Sequence, residues 1–411
     1  MSSIAIKQAQ ENDIPVLESI LLDTVNWLSE MNQPLLDADE VAWSALSKSY
    51  QFGDFYIAYS DGKPSGCMVI IDHDPFFWPD VKKGESLFVH KLAVTKSARK
   101  SGAADALIDF FKEQGAVRGV KTLRLDTDAL RPKTRAFYER HGFIFVEKKI
   151  LGKFHVAFYI YTLPDSILAQ NKSSWNVIAD SFFGVTALPT YGCLCPSEDE
   201  LHLFPDLSGK VVLDIGCGSG HSLKWCAEHG ASELWGLDIS DRQHENAERF
   251  LRESGYDPKL FCSPMEQNPS LPQSYFDVVY SIYAIGWSVD LQGTFNLIAS
   301  YLKPGGVFIF SWEHPLMRRV ITEDGKLIFK GNYLESEPFV FEKDGNPLTY
   351  PLRRFSDYIN VLAAAGFSIE RVVEETDAET LTRDYEVSNG YYAPYKAKKL
   401  PLSLIVKARK L

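Results

Sequence analysis

The stretch "VVLDIGCGSG", residues 211–220, sets the fold of the C-terminal half of the chain. An apolar run ends in Asp214, and glycines follow at 216, 218 and 220 before a helical pattern begins. Glycine lets the backbone turn sharply and lets a ligand come close, and the first strand-to-helix turn of a doubly wound sheet is where a nucleotide sits. The dinucleotide fingerprint G-x-G-x-x-G would need glycine at 221, where His221 stands. An acid at the end of the next strand should accept hydrogen bonds from a ribose, and Asp238 lies 18 residues beyond Gly220. Around this turn, strands are expected at 211–216, 233–239, 258–262, 276–282 and 306–313, with helices at 221–229, 242–254 and 291–302. Such alternation implies a parallel sheet covered on both faces.

The spacing D-x-G-x-G-x-G resembles motif I of the class I S-adenosylmethionine-dependent methyltransferases. "YFDVVYSIYAIGW" (275–287) is similar to that family's fourth strand, and "YLKPGGVFIFSWEHP" (301–315) to its fifth. "FSDYINVLAAAGFSIERV" (355–372) resembles its late helix and strand, and "LSLIVKARK" (402–410) its final reversed strand. The resemblance covers about 173–411 and implies a Rossmann-like sheet that binds S-adenosylmethionine through Asp214, Gly216, Gly218, Gly220 and Asp238. Many relatives hold the adenine with an aspartate after the third strand; here the residues are "FCSPMEQ" (261–267), so Met265 or Glu266 is expected to substitute.

Ligands of such sheets lie beyond the carboxyl ends of the strands, which selects Tyr283, Trp287, Glu313 and His314. His314 titrates nearest neutrality and is the candidate catalytic base; it also reads as a structural His-Pro turn. "SIYA" after the fourth strand lacks the [DNS]-P-P-[YFW] usual in nucleobase amino-methylation, and there is no Pro-Cys pair as in cytosine C5 enzymes. The segment 314–352 is expected to be a lid over a small acceptor, with a decorative surface hairpin as the plainer reading.

The N-terminal half holds a quieter signal, "ARKSGAADAL" (98–107). The strand "LFVHKLAV" (87–94) precedes it, and an amphipathic helix with Ala104, Leu107, Ile108 and Phe111 on one face starts within it. Backbone N–H groups at such a helix start attract a pyrophosphate, and Arg99 and Lys100 add positive charge. "DFYIAYSDGKPSGCMVIID" (54–72) reads as a hairpin turning at Asp61-Gly62, "TLRLDTD" (122–128) as a strand, and "RAFYERHG" (135–142) as a short helix. Together with "LRLDTDALRPKTRAFYERHGF" (123–143) these resemble motifs A and B of the GNAT acetyltransferase superfamily, over about 4–163. The resemblance implies acetyl-CoA held at Arg99, Lys100, Ser101, Gly102, Ala103 and Ala104, with Tyr138 protonating the departing thiolate. Tyr138 also reads as a packed aromatic beside Phe137. Arg131 stands where many relatives have asparagine, and the base is open among Glu85, His90 and Asp126.

The whole is expected to be an α/β protein: a GNAT-like mixed sheet (1–164), a polar linker (165–174) and a methyltransferase unit (175–411). The formal net charge of -11, with no basic block, argues against nucleic acid as partner. Six scattered cysteines without C-x-x-C spacing read as buried reduced thiols, and no metal site is expected. No apolar run approaches the about 18 residues of a membrane span, and "MSSIAIKQAQENDIPVL" shows no basic-then-apolar signal; a cytoplasmic location is expected. The leading reading is a bifunctional transferase with small-molecule acceptors, its oligomeric state left open by the sequence. The alternative is a methyltransferase whose GNAT-like half only binds CoA or substrate.

Overall fold

The computed structural model describes residues 4–31, 37–152, 154–334, 338–388 and 390–411. Residues 1–3 of the N-terminal stretch and 335–337 of the expected lid lie outside them. The chain divides into two compact units, Met1–Ser166 and Ile167–Leu411. Helices of eight residues or more are numbered below.

The first unit is a seven-stranded sheet in the order β1-β2-β3-β4-β5-β7-β6. Its strands are β1 (Ile4–Gln8), β2 (Phe55–Ser60), β3 (Lys63–Ile71), β4 (Ser86–Val94), β5 (Thr122–Asp128), β6 (Ile144–Leu151) and β7 (Phe154–Thr162). Its helices are α1 (Ile14–Glu30), α2 (Ala103–Val117) and α3 (Pro132–Arg140). Strand alternation sends Tyr56 and Ala58 to one face, with Leu107, Ile108 and Phe111 of α2. It sends Phe55 and Ile57 to the other, with Leu17, Ile20 and Leu21 of α1. Asp61 and Gly62 both have positive φ (50° and 76°), the geometry of the two-residue hairpin turn expected there.

One local irregularity opens this sheet. β4 and β5 run parallel but pair only over Ser86–Val89 and Thr122–Leu125. Just beyond, the β3–β4 register shifts: Val69 faces His90 and Cys67 faces Ala93, so Lys91 and Leu92 together oppose Met68. Lys91 takes φ 51° at this bulge. Bulges bend a strand and end its pairing.

The second unit is a seven-stranded sheet in the order β10-β9-β8-β11-β12-β18-β17. The strands are β8 (Val211–Ile215), β9 (Glu233–Asp238), β10 (Lys259–Cys262), β11 (Phe276–Ile282), β12 (Leu302–Glu313), β17 (Phe367–Val373) and β18 (Ser403–Lys410). β18 is antiparallel to β12, the reversed last strand expected. The order reverses between β8 and β11, which places the ligand crevice at their carboxyl ends. The covering helices include α4 (Pro164–Ile178), α5 (His221–Glu228), α6 (Asp241–Glu253), α7 (Leu291–Tyr301) and α8 (Phe355–Ala364). Segment 314–352 forms two hairpins, β13 (Val320–Glu323) with β14 (Lys326–Phe329), and β15 (Pro338–Lys343) with β16 (Asn346–Pro351).

The stretch 165–174, expected to be a linker, is helical and mostly built into the second unit. Asn171 and Ser174 of α4 are buried. Asn171 donates to the Thr349 carbonyl (2.7 Å) and accepts from its N–H (2.9 Å), while Ser174 donates to the Pro347 carbonyl. Those polar side chains serve the β16 backbone, which is why a polar composition does not make this segment a loop. The cysteines are all free, but Cys262 is exposed, against the expectation that all six are buried. Among the described residues no helix is long and apolar enough to cross a membrane.

Candidate functional site

In the second unit a cavity of about 360 Å³ opens at the carboxyl ends of β8, β9 and β11. Its floor is the glycine turn. Gly216, Gly218 and Gly220 have φ of +76°, +50° and +80°. A Cβ on Gly216 would run into the Ala284 side chain, so only glycine lets this turn lie against the segment after β11. Asp238 ties the first two strand-to-helix turns together, its Oδ2 accepting from Gly218 N–H and its Oδ1 from Ser240 N–H, both 2.9 Å.

Three buried acceptors on this wall have no hydrogen-bond partner: Asp214 Oδ1, Gln243 Oε1 and Glu266 Oε2. Burial, with Asp238 adding, holds the Asp214 carboxyl well above the usual carboxylate range, and burial raises Glu266 as well. Orphaned acceptors facing one cavity suit a ligand rich in donors and positive charge. S-adenosylmethionine, with its ammonium, ribose hydroxyls and adenine amino group, fits these residues. All the residues expected to hold it (Asp214, Gly216, Gly218, Asp238, Met265 and Glu266) line the cavity except Gly220, which packs instead toward Leu251 and Ala247.

The opposite wall is aromatic. Trp287 has edge contacts with Trp175 (5.3 Å between ring centroids), Tyr350 (5.1 Å) and Trp312 (5.8 Å). Tyr283, with φ 56°, turns the chain out of β11 to start this wall. Beside it Glu313 takes four charge-assisted donors: Arg318 Nη2 and Nε (2.8 and 3.0 Å), Tyr392 Oη and Tyr350 Oη (both 2.7 Å). Glu313, Arg318, Tyr350 and Tyr392 all line the cavity.

His314 does not join them. Its ring is buried, Nε2 donates to Glu374 (2.6 Å), and Nδ1 accepts from Leu316 N–H (3.2 Å). Both nitrogens are committed and the residue is absent from the cavity wall, so the expected base is a structural histidine. The aromatic partners Trp175, Trp312, Tyr350 and Tyr392 were missed by sequence reasoning, as was Arg318. Only the aromatic content of 314–352 hinted at Tyr350.

In the first unit a cavity of about 740 Å³ lies where β4 and β5 part. His90, Asp126 and Tyr138 line it; Glu85 is exposed and lies outside it. Burial, with Asp126 adding, pushes the Tyr138 hydroxyl up, so it stays protonated. The expected phosphate loop stands apart: none of Arg99–Ala104 lines this cavity. Gly102 (φ +89°) caps α2, and a Cβ there would meet only Ile4, so the approach is open. Lys100 and Ser101 are exposed and Ala104 is half-buried, but Ala103 is buried. The Arg99 guanidinium lies over the Trp27 ring, 3.1 Å from its centre, with its face on the indole and its N–H groups left to bind an anion.

The family model described as a methyltransferase domain matches residues 213–310, and the acetyltransferase (GNAT) family model matches residues 21–143. An uncharacterized protein of Haemophilus influenzae is 30% identical over 226 residues, covering 51% of this chain and 85% of that protein. The sterol 24-C-methyltransferase of Aspergillus fumigatus is 30% identical over 192 residues, 40% of this chain and 51% of that protein. Among solved structures, an S-adenosylmethionine-dependent methyltransferase from Mesorhizobium loti is 30% identical, with 51% of this chain and 95% of that chain covered, at a TM-score of 0.43. The two model matches define the class: a GNAT domain joined to a methyltransferase domain. The chain belongs to one family with the Haemophilus influenzae protein.

Proposed function

We propose that the chain is a bifunctional transferase, methylating a small-molecule acceptor from S-adenosylmethionine and acetylating an amine from acetyl-CoA. The observation that carries the reading is the crevice between β8 and β11. Unpartnered acceptors stand on its glycine side, and an aromatic wall closes the other. Asp238 keeps lone pairs for ribose hydroxyls, and Asp214, Gln243 and Glu266 offer acceptors to the donor groups of the cofactor. Bound there, S-adenosylmethionine supplies a methyl group on a sulfonium. Trp287, Trp312 and Tyr350 give that side of the cavity an apolar aromatic wall, which suits a cationic sulfonium. The cavity's volume of about 360 Å³ favours a small acceptor over a macromolecule.

In the first unit, Tyr138 is the proton donor for the departing CoA thiolate, and it lines the cavity where the acceptor would sit. CoA would meet the open N-terminus of α2 at Gly102 and the cation of Lys100.

Doubly labelled donors test both halves. With methyl-labelled S-adenosylmethionine and acetyl-labelled CoA, a small-metabolite extract should take up both labels, and Tyr138→Phe should slow only acetyl transfer, by about 10²–10⁴-fold. Methyl label alone would favour the binding-module reading of the first unit. Label in protein instead of small molecules would overturn the acceptor class.

A further inference from the structure

Three side-chain atoms in the first unit are buried, polar and without a hydrogen-bond partner, and they belong to one cluster: Asp74 Oδ2, His90 Nε2 and Asp126 Oδ1. Ligand atoms, one from each residue, all lie within 4.8 Å of one another. The fold brings them together from three segments. Asp74 follows β3, His90 sits on β4 just before the bulge, and Asp126 on β5 just past the last residue that pairs with β4.

The Asp74 side chain is about 95% buried, and its other oxygen accepts from Phe77 N–H (3.1 Å), which turns Oδ2 toward the cluster. His90 Nε2 approaches Asp74 Oδ2 to 3.1 Å, an ion-pair distance when the imidazole is protonated, but the two atoms do not meet in hydrogen-bond geometry. Among the described residues, no lysine or arginine forms an ion pair with Asp74 or Asp126. Two buried carboxylates facing one imidazole, with Lys91 near Asp126 but not paired to it, offer oxygen and nitrogen donors that a bound cation would satisfy.

We propose that Asp74, His90 and Asp126 bind a divalent transition-metal cation of the zinc class. One imidazole nitrogen with two carboxylate oxygens suits zinc, cobalt or manganese, whereas calcium and magnesium favour oxygen alone. Metal–ligand bonds of about 2.0–2.2 Å need donors about 3.5 Å apart, a contraction that side-chain rotation supplies. Three protein ligands leave a coordination position, and because His90 and Asp126 line the cavity it faces the cleft between β4 and β5. The inference does not depend on acetyl transfer.

Full-length protein stripped with a chelator is titrated with Co²⁺ and Zn²⁺, and the wild-type protein is loaded with ¹¹³Cd²⁺ for NMR. One equivalent should bind without thiolate charge-transfer bands, the cadmium resonance should report nitrogen and oxygen ligands, and His90→Gln and Asp126→Asn should each bind at least tenfold more weakly. The cadmium spectrum keeps the test valid if either variant fails to fold. No binding at millimolar cation, equal binding by the variants, or a cadmium resonance of sulfur ligation alone overturns the proposal.

Discussion

Glu313 ends β12 with both carboxylate oxygens saturated by Arg318, Tyr350 and Tyr392. Removing it leaves Arg318 buried and uncompensated, so Glu313→Ala should destabilise the second unit by about 3–5 kcal/mol. The double variant Glu313→Leu/Arg318→Met should cost much less than the two single changes together, as denaturant melts of the four proteins would read. The next residue, His314, teaches the limit of sequence position. Glu313 is the last residue of β12 and His314 the next in the chain, so their side chains point to opposite sides: Glu313 faces the cavity while His314 turns to Glu374. Lys396 carries a pH signature. It is buried against the Met317 carbonyl (3.0 Å), and burial, with Arg318 adding, lowers it from 10.5 to about 8. A lowered base gives stability that is present above pH 10.5 and lost as pH falls through 8. Wild type should therefore gain stability between pH 8 and 10.5 relative to Lys396→Met. At pH 7 the variant should be more stable by at most about 2 kcal/mol once the lost hydrogen bond is subtracted. Melting temperatures across that range decide it.

At the scale of elements, α4 and the β15–β16 hairpin act as one piece through Asn171 and Thr349. Asn171→Ala leaves a buried N–H and carbonyl of Thr349 unpaired, a cost of about 2–4 kcal/mol. Because Leu348 and Tyr350 of the same strand wall the cavity, affinity for S-adenosylhomocysteine should fall as well, which calorimetric titration would show. An unchanged affinity would mean that the hairpin is not coupled to the site. Element boundaries in the parallel sheet were legible to within one or two residues, since apolar runs and glycine stops carry them. β12 is the exception. It was expected from 306, but it starts at Leu302 because "KPGG" is an irregularity within the strand: Leu302 pairs with Phe276 and Val307 with Val278. Turn-forming residues inside a bulge read as a turn until the neighbouring strand is in view. The two hairpins of 320–351 turn at Asp324-Gly325 and Asp344-Gly345, all with positive φ; only the plainer hairpin reading pointed to them, since neither shows sustained alternation.

For the whole molecule, each unit has its own core and its own cavity, and ligands should act on them separately. A ligand at 100 times its dissociation constant adds about 2.7 kcal/mol to the domain that binds it, so S-adenosylhomocysteine and CoA should shift different melting transitions. A shift with S-adenosylhomocysteine alone at millimolar CoA would make the first unit's phosphate loop vestigial. The sequence by itself determined the two fold types, the glycine turn, Asp238 and the α2 start, because each is a local pattern written in consecutive residues. Only the tertiary structure decided that Arg99 rests on Trp27, that a presumed linker is a packed helix, and that His314 is structural. It alone gathers Asp74, His90 and Asp126 from three segments and assembles the aromatic wall from residues 175 to 392. Those facts depend on which side chains meet across the fold, and burial and pairing between distant strands set them.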